Sequence, residues 1–169
     1  YFHETAFYGS DDEFVDIVAP FVRDGIAAGE PTVVACGPVN AGLLERAVGR
    51  TGIRFLPGAG QYAQPGPAIR SYRTMFADFV ALGAEQIRVI GDVPHPGVGV
   101  GWHGWLRYEA AVNEAYAEFP IWGMCPYDTR ITPDYVLADA IATHPFLAMT
   151  DGRHVVNEAY QPPAKFLAH

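Results

Sequence analysis

Lysine is all but missing from this chain: among 11 basic residues only Lys165 is a lysine, and the rest are arginines. Schiff-base catalysis would rest on that one residue near the C-terminal end, so lysine-dependent covalent chemistry is set aside. Positive charge is short in general. Against 19 acidic residues it leaves a formal charge of -8, which repels a phosphate backbone and argues against direct nucleic-acid binding or adhesion to an anionic membrane. Cysteine is scarce as well. Cys36 and Cys125 form no CxxC pair and are too few for a disulfide scaffold, so both are expected as reduced thiols in a cytoplasmic protein. Long apolar runs are lacking too: the most apolar stretches, 31–36 and 86–90, are strand-sized, far below the roughly 20 residues of a membrane helix. No charged leader with an apolar signal segment opens the chain, which begins at Tyr1 and reads as trimmed.

What is present suits one well-filled core, since 50% of the 169 residues are hydrophobic. Apolar or β-branched runs at 4–8, 31–36, 53–58, 87–94, 120–125 and 154–160 read as strands. Between them apolar residues recur at helical spacing over 12–28, 39–50, 68–83 and 102–119, and a last helix begins near Pro133. Ser10 or Asp11 is placed to cap the first helix. The segment 58–67 is rich in glycine and proline and is expected to hold no regular element. The PYD after Cys125 reads as a turn. Strands alternating with helices predict an α/β three-layer sandwich, with a mainly parallel sheet covered on both faces and no internal repeat.

In such sheets ligands bind beyond the carboxyl ends of the strands. That rim holds Cys36, Asp92, Cys125, Tyr127 and Asp128. The apolar strand ending at Asp92 could serve a magnesium-nucleotide site, but the loop 36–42 reads CGPVNAG and lacks the GxxxxGK[ST] that cradles phosphates. A thiol enzyme would pair Cys36 or Cys125 with His95, His103 or His144 and with Asp92 or Asp128; as small apolar fillers the same cysteines need no catalytic role. A metal site drawn from His3, His95, His103 and His144 has no support in spacing, because no HxxxH or HExxH pair exists. Aromatic residues make up 13% of the chain. Trp105 and Trp122 read as core, whereas Tyr62 and Trp102, flanking glycine-rich loops, are the better pocket candidates.

Five segments, HETAFY (3–8), IRVIGDVP (87–94), YEAAVN (108–113), MCPYDTR (124–130) and ATHPFL (142–147), together resemble the MEDS family of sensory domains from methanogen and methylotroph regulators. The resemblance implies a sensor for small organic or hydrocarbon-derived molecules, with a fold related to the RecA and KaiC ATPases but without their P-loop. It also implies excision from a longer regulator whose output is a DNA-binding domain or a histidine-kinase-like ATPase of the anti-sigma-factor type. The tail NEAYQPPAKFLAH resembles the exit toward the latter. Residues matching the family motifs are His3, Tyr8, Asp92, Glu109, Asn113, Cys125, Tyr127, Asp128 and His144.

The combined reading is a single non-catalytic cytoplasmic sensory domain over 1–169, without cofactor or metal. It binds a small organic molecule through Cys36, Tyr62, Asp92, His95, Trp102, Glu109, Cys125, Tyr127 and Asp128. The loop 94–101, with its glycines and prolines, is expected to act as a lid. A protein-interaction scaffold derived from a degenerate ATPase and a thiol-dependent enzyme are the alternatives.

Overall fold

The computed structural model describes residues 1–93 and 100–168. In chain order the elements are β1 (Phe2–Tyr8), α1 (Asp11–Ala27), β2 (Thr32–Ala35), α2 (Pro38–Val48), β3 (Ile53–Phe55), α3 (Gly58–Gln61) and α4 (Pro65–Ala81), followed by β4 (Ile87–Gly91), α5 (Trp102–Ala115), β5 (Ile121–Asp128), α6 (Asp134–Thr143), β6 (Phe146–Ala148), β7 (His154–Val156) and α7 (Ala164–Leu167). The seven strands form one sheet in the order β3-β2-β4-β5-β1-β6-β7. All pairings are parallel except β6 with β7. No helix among the described residues is long and apolar enough to cross a membrane.

Local chemistry accounts for the boundaries. Ser10 caps α1 by accepting the Glu13 amide at 3.1 Å, and Asp11, Asp12 and Glu13 follow in the first turn, where carboxylates suit the helix dipole. The β-branched runs of β2 and β4 are buried on both faces, as central parallel strands require.

Side-chain parity then sorts the core into two halves. Val33, Ile87, Val89, Ile121, Cys125 and Tyr127 pack with Tyr72 and Phe76 of α4, Trp105 and Val112 of α5, and Val136 and Ala140 of α6. Their alternates Val34, Ile90, Met124, Ala6 and Tyr8 pack with Phe14, Ile17 and Phe21 of α1 and Leu44 of α2. Three layers result, α4, α5 and α6 over one face of the sheet and α1 and α2 over the other.

The structure departs from the sequence expectations in several places. The segment 58–67 holds α3 and the start of α4, because Pro65 falls in the first helical turn, where no intrahelical donor is lost. The PYD segment, residues 126–128, is strand and not turn. The ladder to β4 ends at Met124, so beyond it β5 has an open side, and an open side is where a proline such as Pro126 fits. The predicted strand 154–160 shrinks to His154–Val156, and β6 was not foreseen. The helix predicted over 102–119 stops at Ala115.

Candidate functional site

Beneath α4 and α5, on the sheet face carrying Val89, Gly91 and Cys125, lies a cavity of about 30 Å³. That is room for roughly two water molecules. Tyr1, Tyr62, Tyr72, Tyr108 and Tyr116 wall it, together with Phe76, Val89, Val112 and Ile121. The phenols partner each other: Tyr62 and Tyr72 share a hydrogen bond of 2.9 Å, and the Tyr108 and Tyr116 hydroxyls are 3.5 Å apart. Gly91 makes this wall possible, since a Cβ there would fall 2.5 Å from the Tyr62 hydroxyl.

The polar part of the lining is His3, Glu109 and Cys125, and His144 stands beside them. His3 comes from β1, Cys125 from β5, Glu109 from α5, and His144 caps the end of α6. All four are buried. The Cys125 thiol lies 3.4 Å from His3 Nε2, and Glu109 Oε2 lies 3.5 Å from His3 Nε2 and 3.6 Å from His144 Nε2. The outer atoms are tied down. Tyr127 donates to Glu109 Oε1 at 2.9 Å, His144 Nδ1 donates to the Ala140 carbonyl at 2.7 Å, and His3 Nδ1 meets Asn113 Oδ1 at 3.1 Å. Burial drives every member toward its neutral form. It raises the Glu109 carboxyl and the Cys125 thiol, and it pushes His3 and His144 down to about 3, with the His3 charge adding to the effect on His144. A thiol raised by burial is the reverse of an activated nucleophile, and Cys36 is raised in the same way.

A second site lies at the carboxyl edge of the sheet. This groove, of about 280 Å³, is lined by Tyr8, Asn40, Asp92, Tyr127, Asp128 and Arg130 among others. Asn40 donates to the Tyr8 hydroxyl at 3.0 Å and to Asp92 Oδ2 at 3.1 Å, and the Gly37 amide donates to the same oxygen at 3.3 Å. Burial raises the Asp92 carboxyl against these two donors. Arg130, paired with Asp128 and Asp11, holds Asp128 below the usual range.

The candidates named from sequence therefore fall into separate places. Tyr62, Glu109 and Cys125 meet at the inner cavity, and Tyr127 links it to the edge groove that holds Asp92 and Asp128. Cys36 is packed in the α1 and α2 layer, across the sheet from the cavity. Trp102 donates its indole N–H to Asp139 of α6 at 2.8 Å and meets Tyr127 edge-on. His95 and most of the expected lid lie outside the described residues. Trp105 is core as expected, and Trp122 packs half-buried against the core of the far face, donating to Glu4 and lying under the Arg88 guanidinium.

The sequence offers no HxxxH or HExxH pair to mark His3 and His144 as ligands, yet the fold brings them together with Glu109 and Cys125. Residues 2–145 match the model of the MEDS family, the MEthanogen/methylotroph, DcmR Sensory domain. The chain belongs to the MEDS family. No curated protein matches it. The MEDS match runs from β1 to just past His144, so it takes in the edge groove, the whole buried cluster and all of the cavity lining but Tyr1, and it stops short of β6, β7 and α7. MEDS is a family of sensory domains, which carries the sensory role expected from the sequence segments.

Proposed function

We propose that this MEDS domain is a non-catalytic cytoplasmic sensor that takes a small organic molecule into the tyrosine-walled cavity above Glu109 and Cys125. The occupant biases an attached output domain, a histidine-kinase-like ATPase or a DNA-binding domain. The observation that carries this reading is the lining itself, apolar and aromatic walls converging on a few polar atoms, which is the usual make-up of a small-molecule site. Its volume favours an occupant of a few heavy atoms, with larger ones needing the tyrosines to move. The edge groove is the less suitable host for such a molecule, because its polar groups are already engaged with one another and its carboxylates favour cations. Against a thiol enzyme stand two buried thiols of raised pKa with no cationic neighbour among the described residues.

The test is a titration of the purified domain with one- to three-carbon alcohols, amines and halides, followed by tryptophan fluorescence. Trp105 packs edge-on against Tyr62 at 5.8 Å and should report the occupant. Saturable quenching that weakens at least about tenfold in Val89→Leu, which fills the cavity, is expected. Unchanged affinity in Val89→Leu together with lost affinity in Asp92→Ala would move the site to the groove and overturn the assignment.

A further inference from the structure

Glu109 Oε2 and His144 Nε2 are buried and have no hydrogen-bond partner among the described residues. They face each other and face His3 Nε2 and Cys125 Sγ, and the four atoms lie within 4.8 Å of one another. The Glu109 separations of 3.5 and 3.6 Å from the two imidazoles are too long for good hydrogen bonds, and the 3.4 Å between Cys125 Sγ and His3 Nε2 is an ordinary sulfur contact. These three of the six separations match the edges of a tetrahedron, about 3.3–3.6 Å, around an ion with bonds of ~2.0–2.3 Å to nitrogen, oxygen and sulfur, and the remaining three stay within 4.8 Å.

The surrounding contacts hold the outer atoms of His3, His144 and Glu109 and leave their inner atoms available. Asn113 spends its amide N–H groups on the carbonyls of Glu109 and Thr143, so its oxygen must be the atom that faces His3. His3 Nδ1 is therefore the protonated nitrogen, and Nε2 carries a lone pair. His144 donates Nδ1–H to a carbonyl, which leaves Nε2 bare in the same way. Tyr127 occupies one oxygen of Glu109 and leaves the other open. A histidine whose outer nitrogen is held by an amide or carbonyl oxygen, and a carboxylate held by a hydroxyl, are the outer contacts that metal ligands require.

We propose that His3, Glu109, Cys125 and His144 form a binding site for one divalent transition-metal ion of the zinc class. Two neutral imidazoles, a carboxylate and a thiolate give a mixed nitrogen, oxygen and sulfur donor set, which suits tetrahedral zinc over magnesium or calcium. The charges cancel: the ion's two positive charges meet one carboxylate and one thiolate, and the thiol and carboxyl protons leave to solvent on binding. Three of the four ligands also line the cavity, so the ion sits at its floor. The site stands whether or not the cavity takes an organic molecule, and the experiment reads metal alone.

The domain is purified without chelators and its metal content measured, then stripped and titrated with Co2+ and with Zn2+ in competition. One ion per chain is expected. The Co2+ form should show the visible bands of tetrahedral cobalt and a thiolate-to-cobalt charge-transfer band, both abolished by Zn2+. Cys125→Ser should lose the charge-transfer band and keep the visible bands, and His144→Gln should weaken Co2+ binding at least about tenfold. Wild-type protein with native circular dichroism that takes up no Co2+ overturns the site. So does uptake without the charge-transfer band, which would mark adventitious binding at exposed histidines.

Discussion

Glu4 and Glu109 are buried to the same extent and are held in opposite ways. Glu4, on the α1 and α2 side of β1, has both oxygens engaged, Oε1 with the Trp122 indole N–H at 2.8 Å and Oε2 with His154 Nδ1 at 2.7 Å. Glu109, across the sheet, has one oxygen engaged and one left open toward two imidazoles and a thiol. Strands alone build the Glu4 site, from β1, β5 and β7, whereas the Glu109 site needs two helix-borne side chains brought down onto β1 and β5. His3 and Glu4 are neighbours in β1, so the pleat sends one polar side chain to each site. A buried carboxylate with full partners is a structural group; one with an open oxygen calls for an explanation, which the ion proposed above would supply.

The largest effect expected from that contrast is on stability. Glu4→Ala removes the acceptor of both Trp122 and His154, and should cost about 3 kcal/mol or more. Glu109→Ala in chelator-treated protein loses only the Tyr127 bond and removes an orphaned oxygen, and should cost at most about half as much. Urea denaturation of the two variants checks this, and equal costs would erase the distinction.

Next comes the tightness of the cavity face. Gly91→Ala puts a Cβ 2.5 Å from the Tyr62 hydroxyl and should destabilise the domain by about 1–3 kcal/mol while breaking the Tyr62–Tyr72 bond. Gly37→Ala, at the groove, places its Cβ at an ordinary 3.6 Å from Asp92 and should cost under about 1 kcal/mol. Thermal melts rank the pair, and the reverse ranking would mean that Tyr62 yields and the cavity is softer than its packing implies.

Much of this was legible in advance. The β-branched runs of β2 and β4, the Ser10 cap and the helical spacing of α1 and α4 follow from local rules, and they set the parallel three-layer plan. Three-residue strands such as β6 and β7 carry no period to detect, and Pro126 hid the end of β5 because its tolerance depends on where β4 stops. The site was half visible. Cys125, Tyr62 and Tyr127 follow from the sequence pattern, Glu109 and Asn113 enter only through the MEDS resemblance, and His3 and His144 carry no spacing that marks them as ligands, since a site drawn from four distant elements leaves none to read. One signal could have found them: β1 opens with His3, Glu4 and Thr5, three polar residues in succession in a strand buried on both faces, and each of these needs a partner.

A smaller effect tests the helical half of the contrast. The Trp102–Asp139 bond ties the start of α5 to α6, whose end carries His144. Trp102→Phe should cost about 1 kcal/mol and raise hydrogen exchange in α5 and α6 while leaving β1, β5 and β7 unchanged. Exchange that rises equally in the strands would mean that the two buried carboxylate sites share one unit of stability.

The smallest effect belongs to a third carboxylate, Asp92, at the groove, where Oδ2 takes both the Gly37 amide and Asn40. Burial nevertheless raises its carboxyl above the ordinary aspartate value of about 4. The folded chain thus holds this proton over a window in which the unfolded chain has lost it. The stability the group contributes is complete below the unfolded value and is lost as pH rises through the folded one. Asp92→Asn cannot ionise and keeps an acceptor for Gly37 and Asn40, so it escapes that loss. The variant should match wild type near pH 3 and gain on it as the pH rises toward about 7, read from urea midpoints across the range. An advantage that stays flat with pH would assign the effect to shape and not to charge. A variant less stable than wild type at neutral pH would mean that the two donors outweigh burial, and Asp92 would then stand with Glu4, the satisfied carboxylate, and not with Glu109.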